Sequence, residues 1–131
     1  MSEKNFEHIA VAANSENDSD NFFMELLGLQ KTRSFTVSTD LMEKFFGVGK
    51  DQKIVRYEKG SLSFEVFITN DDSKASDIFT HSCLLIENRD DFVNRATKMG
   101  YDIVKVPRKD GFGYYLFIRD SFQNLYEIKE K

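Results

Sequence analysis

The chain has 131 residues, 31% of them charged, with a formal net charge of −4. A mildly acidic chain without clustered Lys and Arg lacks the phosphate-tracking face of a nucleic-acid binder. No apolar run reaches the 18 residues of a membrane span, and MSEKNFEH lacks a signal-peptide core, so a cytoplasmic protein is expected. The single cysteine, Cys83, excludes an internal disulfide.

In chain order, Phe6-Glu7-His8 leads into HIAVA, a short apolar run of strand character. Asn14, Ser15 and Asp18 to Asp20 offer caps for a helix around 18–27, with Phe22, Phe23, Leu26 and Leu27 as its apolar stripe and Gly28 as its stop. LQKTRSFTVST predicts a strand. LMEKFFGVGKDQ, 41–52, reads as an insertion containing a short helix with Leu41, Met42, Phe45 and Phe46. That apolar surface suits a cap over a cleft, a partner contact, or ordinary core. QKIVRYE and LSFEVFI form a hairpin about Lys59-Gly60.

Polar DDSKASD then separates a second copy of the same plan. Phe79-Thr80-His81 leads into HSCLLIE. Arg89-Asp90-Asp91 starts a helix with Phe92, Ala96 and Met99 inward, closed by Gly100. DIVKVP, YYLFIRD and LYEIKE complete the unit, with Pro107 at a strand end. Both copies end on aromatic–Glu–β-branched, Phe64-Glu65-Val66 and Tyr126-Glu127-Ile128. The expected organisation is one domain, 1–131. It comprises a βαβββ module at 5–70, a linker at 71–78 and a second βαβββ module at 79–131.

Alternation along each strand sets His8, Ala10 and Ala12 opposite Ile9 and Val11, and His81, Cys83 and Leu85 opposite Leu84 and Ile86. Glu65 and Phe67 oppose Phe64 and Val66, and Glu127 opposes Tyr126 and Ile128. Both histidines of the chain and both closing glutamates therefore project from the face away from the helices. Two imidazoles and two carboxylates suit a divalent transition metal (Zn, Ni, Mn, Co or Fe) that keeps positions open for substrate. For either residue type alone, a hydrogen-bonded structural histidine and a solvated glutamate are the ordinary roles. It is their repetition at equivalent positions that favours a shared cation.

Further candidates around such a site are Tyr57 (with Val55), Phe67, Cys83 and Phe117 as lining, and Arg33 for an anionic substrate group. Arg108 and Lys109 in the glycine loop PRKDGFG, 107–113, are candidates to close over a substrate tail. Each also has a plain reading as packing, surface charge or hairpin turn.

The paired modules, the two histidines and the two glutamates resemble the vicinal oxygen chelate superfamily, the glyoxalase, bleomycin-resistance and dioxygenase group. Asp120-Ser-Phe-Gln-Asn124-Leu-Tyr-Glu127 resembles its D-P-x-G-N-x-x-E signature. The chain departs from it at Ser121, where Pro is usual, and at Gln123, where Gly is usual. The resemblance implies an α+β glyoxalase-like fold whose curved mixed sheets form a cleft. It implies His8, Glu65, His81 and Glu127 as metal ligands, a set similar to that of glyoxalase I. It also implies metal-dependent lyase or isomerase chemistry, with the metal stabilising an enediolate or oxyanion while Glu127, or its counterpart Glu65, moves a proton. A small-molecule substrate and a homodimer, with the modules of a cleft drawn from one chain or from two, are further expectations. The alternatives within the family are a metal-free sequestering protein of the bleomycin-resistance kind and a metal-dependent thiol transferase that opens an epoxide antibiotic.

Overall fold

In a computed structural model, which describes residues 6–75 and 79–131, the chain divides into two compact units, Met1–Asp72 and Ser73–Lys131. The first residue assigned to the first module, Asn5, and part of the linker assigned to 71–78 lie outside the described residues.

The first unit runs β1 (Ile9–Ala13), α1 (Glu16–Ser19), a π-helical stretch (Asp20–Leu26), β2 (Gln30–Val37), α2 (Thr39–Phe46), β3 (Gln52–Lys59) and β4 (Leu62–Ile68). The Ser15 hydroxyl caps α1 by accepting the Asp18 amide at 3.1 Å. The predicted single helix is thus a turn of α-helix widening into a π-helix, and Phe22, Phe23 and Leu26 are all buried beneath it. Leu27, expected in that stripe, is only half-buried.

Strand order is β1-β4-β3-β2, with β1 parallel to β4 and the other pairs antiparallel. A parallel β1–β4 pair requires a crossover, which the helix, β2 and β3 provide. The core fills the helix-covered face, where Phe23 stacks on Tyr57 at 5.2 Å and tilts against Phe64 at 5.1 Å.

The second unit repeats the plan as β5 (His81–Ile86), α3 (Arg89–Lys98), β6 (Asp102–Pro107), β7 (Tyr114–Arg119) and β8 (Leu125–Glu130), in the order β5-β8-β7-β6. Phe92 and Ala96 of α3 are buried, as are Leu84, Leu116, Ile118, Tyr126 and Ile128 of the sheet. Met99, expected inward, is 39% exposed, because it sits at the C-cap, past the last helical turn. Two βαβββ units with mixed four-stranded sheets make the α+β architecture anticipated from the repeat. Among the described residues no helix is long and apolar enough to cross a membrane.

The expected insertion is α2, which starts earlier than predicted because Ser38 caps it and ends at Gly47, left-handed at φ 71°. Met42 is 3% exposed, and Phe46 meets Phe67 of β4 edge-on at 5.4 Å. The first sheet therefore carries helical cover on both faces. On the second sheet the face opposite α3 shows Leu85, Val104, Val106 and Tyr115, each 45–61% exposed.

Candidate functional site

Cross-strand register decides which side chains share a face. Ala10 is the Cα partner of Glu65, and Arg56 faces Glu65 from β3. His8, at the entry to β1, reaches the same carboxylate, with Nε2 3.3 Å from Glu65 Oε1. In the second unit Cys83 and Phe117 are the Cα partners of Glu127, and His81 Nε2 lies 3.6 Å from Glu127 Oε1. Each unit thus brings its histidine and its glutamate together. Among the described residues no group of three or more His, Cys, Asp or Glu is gathered at metal-holding distance; each unit presents one His–Glu pair.

The other ring nitrogen fixes what these pairs can do. His81 Nδ1 is 2.9 Å from the Phe79 carbonyl oxygen, which only accepts, so Nδ1 carries the proton. His8 Nδ1 is 2.6 Å from Glu7 Oε1, again an acceptor. In each unit Nε2 faces a carboxylate oxygen. A proton on Nε2 or a cation held between the two atoms would each make that contact favourable. Bonds of about 2.0–2.2 Å to N and O, meeting at about 90–109°, separate the two donors by about 3.0–3.4 Å. The observed 3.3 and 3.6 Å fit that geometry to within a few tenths of an ångström. A carboxylate or carbonyl on the far ring nitrogen is also the usual support of a metal-binding histidine.

Around His8 the support closes into a ring. Arg56 Nη2 donates to Glu7 Oε2 at 2.6 Å and Nη1 to Glu65 Oε2 at 3.4 Å, while Nε donates to Glu58 Oε2 at 3.0 Å. Glu7, His8, Glu65 and Arg56 form one cycle. The Arg56 guanidinium first, and His8 second, hold the Glu7 carboxyl at about 2, well below the usual carboxylate range. Glu58 is also lowered, by Thr32, Arg56 and Ser63. Around His81 no such ring forms. Among the described residues no Lys or Arg pairs with Glu127, and Phe117 instead sets its ring edge-on to the His81 imidazole at 5.7 Å.

Of the other predicted residues, Phe67 lies on the Glu65 face, under α2. Cys83 is exposed beside Glu127. Burial first, and the Glu127 charge second, raise its thiol pKa, so it is not primed as a thiolate. Arg33 sits across from Arg56 on β2, its guanidinium 4.5 Å over the Phe35 ring. Arg108 closes the 108–113 turn through its backbone and lays its guanidinium 4.4 Å over Tyr115, and Lys109 is exposed.

Tyr57 is the correction. It pairs with Phe64, so it lies on the helix-covered face, fully buried, with its hydroxyl donating to Asp20 at 2.7 Å. Val55 pairs with Val66 and goes with it. The residue facing the site from β3 is Arg56, which the sequence reading passed over together with Glu7. The signal was available: across a two-residue turn every odd-numbered residue pairs with an even-numbered one, so Tyr57 follows Phe64 and Arg56 follows Glu65.

The closing turn carries the signature. Buried Asp120 accepts the Phe122 amide, the Asn124 amide, the Asn124 side chain and the Tyr126 hydroxyl, all at 2.8–3.0 Å. Gln123, where the resemblance has glycine, takes the left-handed conformation at φ 71°. The turn geometry survives the departure and delivers Glu127.

The family model for the Glyoxalase/Bleomycin resistance protein/Dioxygenase superfamily matches residues 5–128. The chain belongs to that superfamily. Among solved structures it is similar to a glyoxalase family protein from Bacillus cereus (TM-score 0.75, 20% identity, 95% of this chain and 92% of that one). A glyoxalase family protein from Enterococcus faecalis is also similar (0.71, 20%, 95% and 96%). So is the fosfomycin resistance protein FosX from Listeria monocytogenes (0.72, 16%, 99% and 95%). These likenesses establish the fold. No curated protein matches the chain by sequence.

Proposed function

We propose that the chain is a metal-dependent lyase or isomerase of the glyoxalase type, acting on a small molecule. His8, Glu65, His81 and Glu127 would jointly hold one divalent transition ion. Four donors from two pairs complete the set either within a chain or through module exchange in a homodimer. The observation that supports this best is the doubled motif of an Nδ1-tethered imidazole aiming its Nε2 at a carboxylate. A bound mutant of FosX from Listeria monocytogenes was solved with Mn(II) and a dihydroxypropylphosphonic acid, so a relative of this fold does hold such an ion.

When bound, the ion supplies electrophilic stabilisation of an oxyanion or enolate. The protein's own residues divide the remaining work. Glu65, tied to Arg56, is a fixed donor. Glu127, with no Lys or Arg paired to it among the described residues, would be free to shift and to carry a proton between substrate atoms. Glu7 and Arg56 are positioning residues that hold the tautomer of His8. Phe117 and Cys83 are the cross-strand neighbours of Glu127 and would flank a substrate held there.

Elemental analysis of the purified protein, followed by calorimetric titration of the chelator-treated chain with Ni²⁺, Zn²⁺ and Mn²⁺, tests the assignment. One ion per chain is expected, with His8→Ala and His81→Ala each lowering affinity by about 100-fold or more. Absence of binding, or one independent ion on each pair, would overturn it. A Glu127→Gln protein that kept both its metal and full turnover would remove Glu127 from proton transfer.

A further inference from the structure

Within the first unit a largely open groove with a volume of about 430 Å³ lies between the sheet face and α2. Ala10 and Ala12 of β1 and Phe67 of β4 form its floor, and Met42 and Phe46 of α2 form its roof. Its volume falls in the range of small-molecule sites, about 300–1,000 Å³. Two features of this chain create it. β1 presents alanine at both positions facing the helix, so no side chain fills the space. The 39–46 insertion then roofs a face that stays bare in the second unit.

The groove has a direction. Ala10 is the Cα partner of Glu65, so one end opens beside the His8–Glu65 pair. Four residues farther along β4, about 13 Å at strand rise, Thr69 and Gln52 mark the other end, with Lys50 beside them. Gln52 spends its amide on the Lys53 and Ile68 carbonyls at 2.8 and 2.6 Å. The Lys50 ammonium has no ion pair or hydrogen bond among the described residues. The other cations of this face are engaged, Arg56 by three carboxylates and Arg33 over Phe35. An apolar groove with the Lys50 ammonium at its far end, beside the Glu43 and Asp51 carboxylates, is complementary to an apolar chain that ends in an anion only where that ammonium outweighs them.

We infer that this groove seats the apolar chain of a medium-length carboxylate, with the carboxylate on Lys50 and the opposite, oxygen-bearing end directed toward His8 and Glu65. The placement of the reacting end rests on the metal-dependent reading above; the slot itself does not. A short phosphonate would leave the apolar walls uncovered. A peptide-like thiol would bury polar amides against alanine and phenylalanine without partners.

The probes are straight-chain carboxylates from butanoate to decanoate, titrated calorimetrically into the full chain without metal. Affinity is expected to rise about fourfold per added methylene until the slot is filled. Lys50→Gln should weaken every member by a similar factor, about fivefold, and leave the chain-length slope intact. Ala12→Phe fills the slot and should abolish the slope. Phe46→Ala removes the roof and should flatten it, which provides a second reading should the first variant not fold. Affinity independent of chain length, or a slope retained in both groove variants, would overturn the inference. Metal titration of the same variants separates the two claims: Ala12→Phe should bind Zn²⁺ like the parent, so loss of the slope with metal binding intact bears on the slot alone.

Discussion

The two units place a histidine and a glutamate at equivalent points of equivalent sheets and then secure them by different means. The β3 neighbour of Glu65 is Arg56, whereas the β7 neighbour of Glu127 is Phe117. In the first unit charge holds the pair: a guanidinium bridges Glu7, Glu58 and Glu65. In the second unit a carbonyl and an aromatic edge hold the imidazole, and among the described residues no Lys or Arg braces the glutamate. The turns that deliver the glutamates differ as well, a tight one through Gly60-Ser61 against a five-residue one wrapped around buried Asp120. A repeat therefore specifies where these side chains stand more strictly than how firmly they are held. On the proposed function, that inequality would let two chemically identical carboxylates take different roles.

The largest expected effect tests the second half of the contrast. Asp120→Ala removes the acceptor of four hydrogen bonds, among them those from the hydroxyl of buried Tyr126 and the Phe122 amide. A loss of about 3 kcal/mol is expected in chemical denaturation, since buried donors that lose an acceptor carry a desolvation penalty. His81–Glu127 order should fall with it, read as exchange broadening of the His81 ring signals, while those of His8 hold. Equal broadening of both histidines would erase the distinction between the units.

Arg56→Leu tests the first half. It leaves three carboxylates clustered around an uncharged side chain, two of the four groups being only 16% exposed at the side chain. Metal-free stability should fall, by less than for a fully buried pair because Glu7 is 71% exposed and screened by water. Phe117→Leu, at the matching place, removes only an aromatic contact and should cost about 1 kcal/mol. If denaturation midpoints put the two variants level, the charged brace contributes no more than the aromatic edge.

The fold was legible because it is doubled. His8 with Glu65 and His81 with Glu127, each preceded by the same strand–helix pattern, expose the repeat without any knowledge of packing, and the alternation of single strands sends all four off the helix face. What one strand cannot reveal is its partner's register. Tyr57 read as a lining residue because it is aromatic and close to Glu65 in sequence. Pairing with Phe64 sends it into the core and turns Arg56, unremarkable in the sequence, toward the site. The widening of the first helix into a π-helix was hidden for a similar reason. It serves the fit of Phe22, Phe23 and Leu26 to Tyr57 and Phe64, a tertiary demand that periodicity along one segment does not encode. The roof over Ala10 and Ala12 lay between those cases: the apolar insertion was visible, but its destination was not.

The smallest expected effect concerns acid, and its sign differs between the units. In the first, Glu7, Glu16, Asp51 and Glu58 all sit below their ordinary values, Glu16 through hydrogen bonds from Lys31 and Lys53, Asp51 through Thr39. A carboxyl lowered on folding contributes stability above its unfolded value, 4.5 for glutamate, and that contribution fades as pH falls through the folded value. In the second unit burial raises Asp120 above 3.8 despite its donors, so its contribution runs the other way, fullest below 3.8 and lost as pH climbs through the raised value. Acidification from about pH 5 toward pH 2 should therefore loosen the first unit while leaving the Asp120 contribution of the second level or slightly firmer. Amide hydrogen exchange reads this directly: Tyr57 and Phe64 should lose protection relative to Tyr126 and Ile128. Glu16→Gln should shrink the acid response of the first unit and leave that of the second unchanged. Parallel loss of protection in both units would show that the acid response belongs to the chain as a whole rather than to the charged brace of one half.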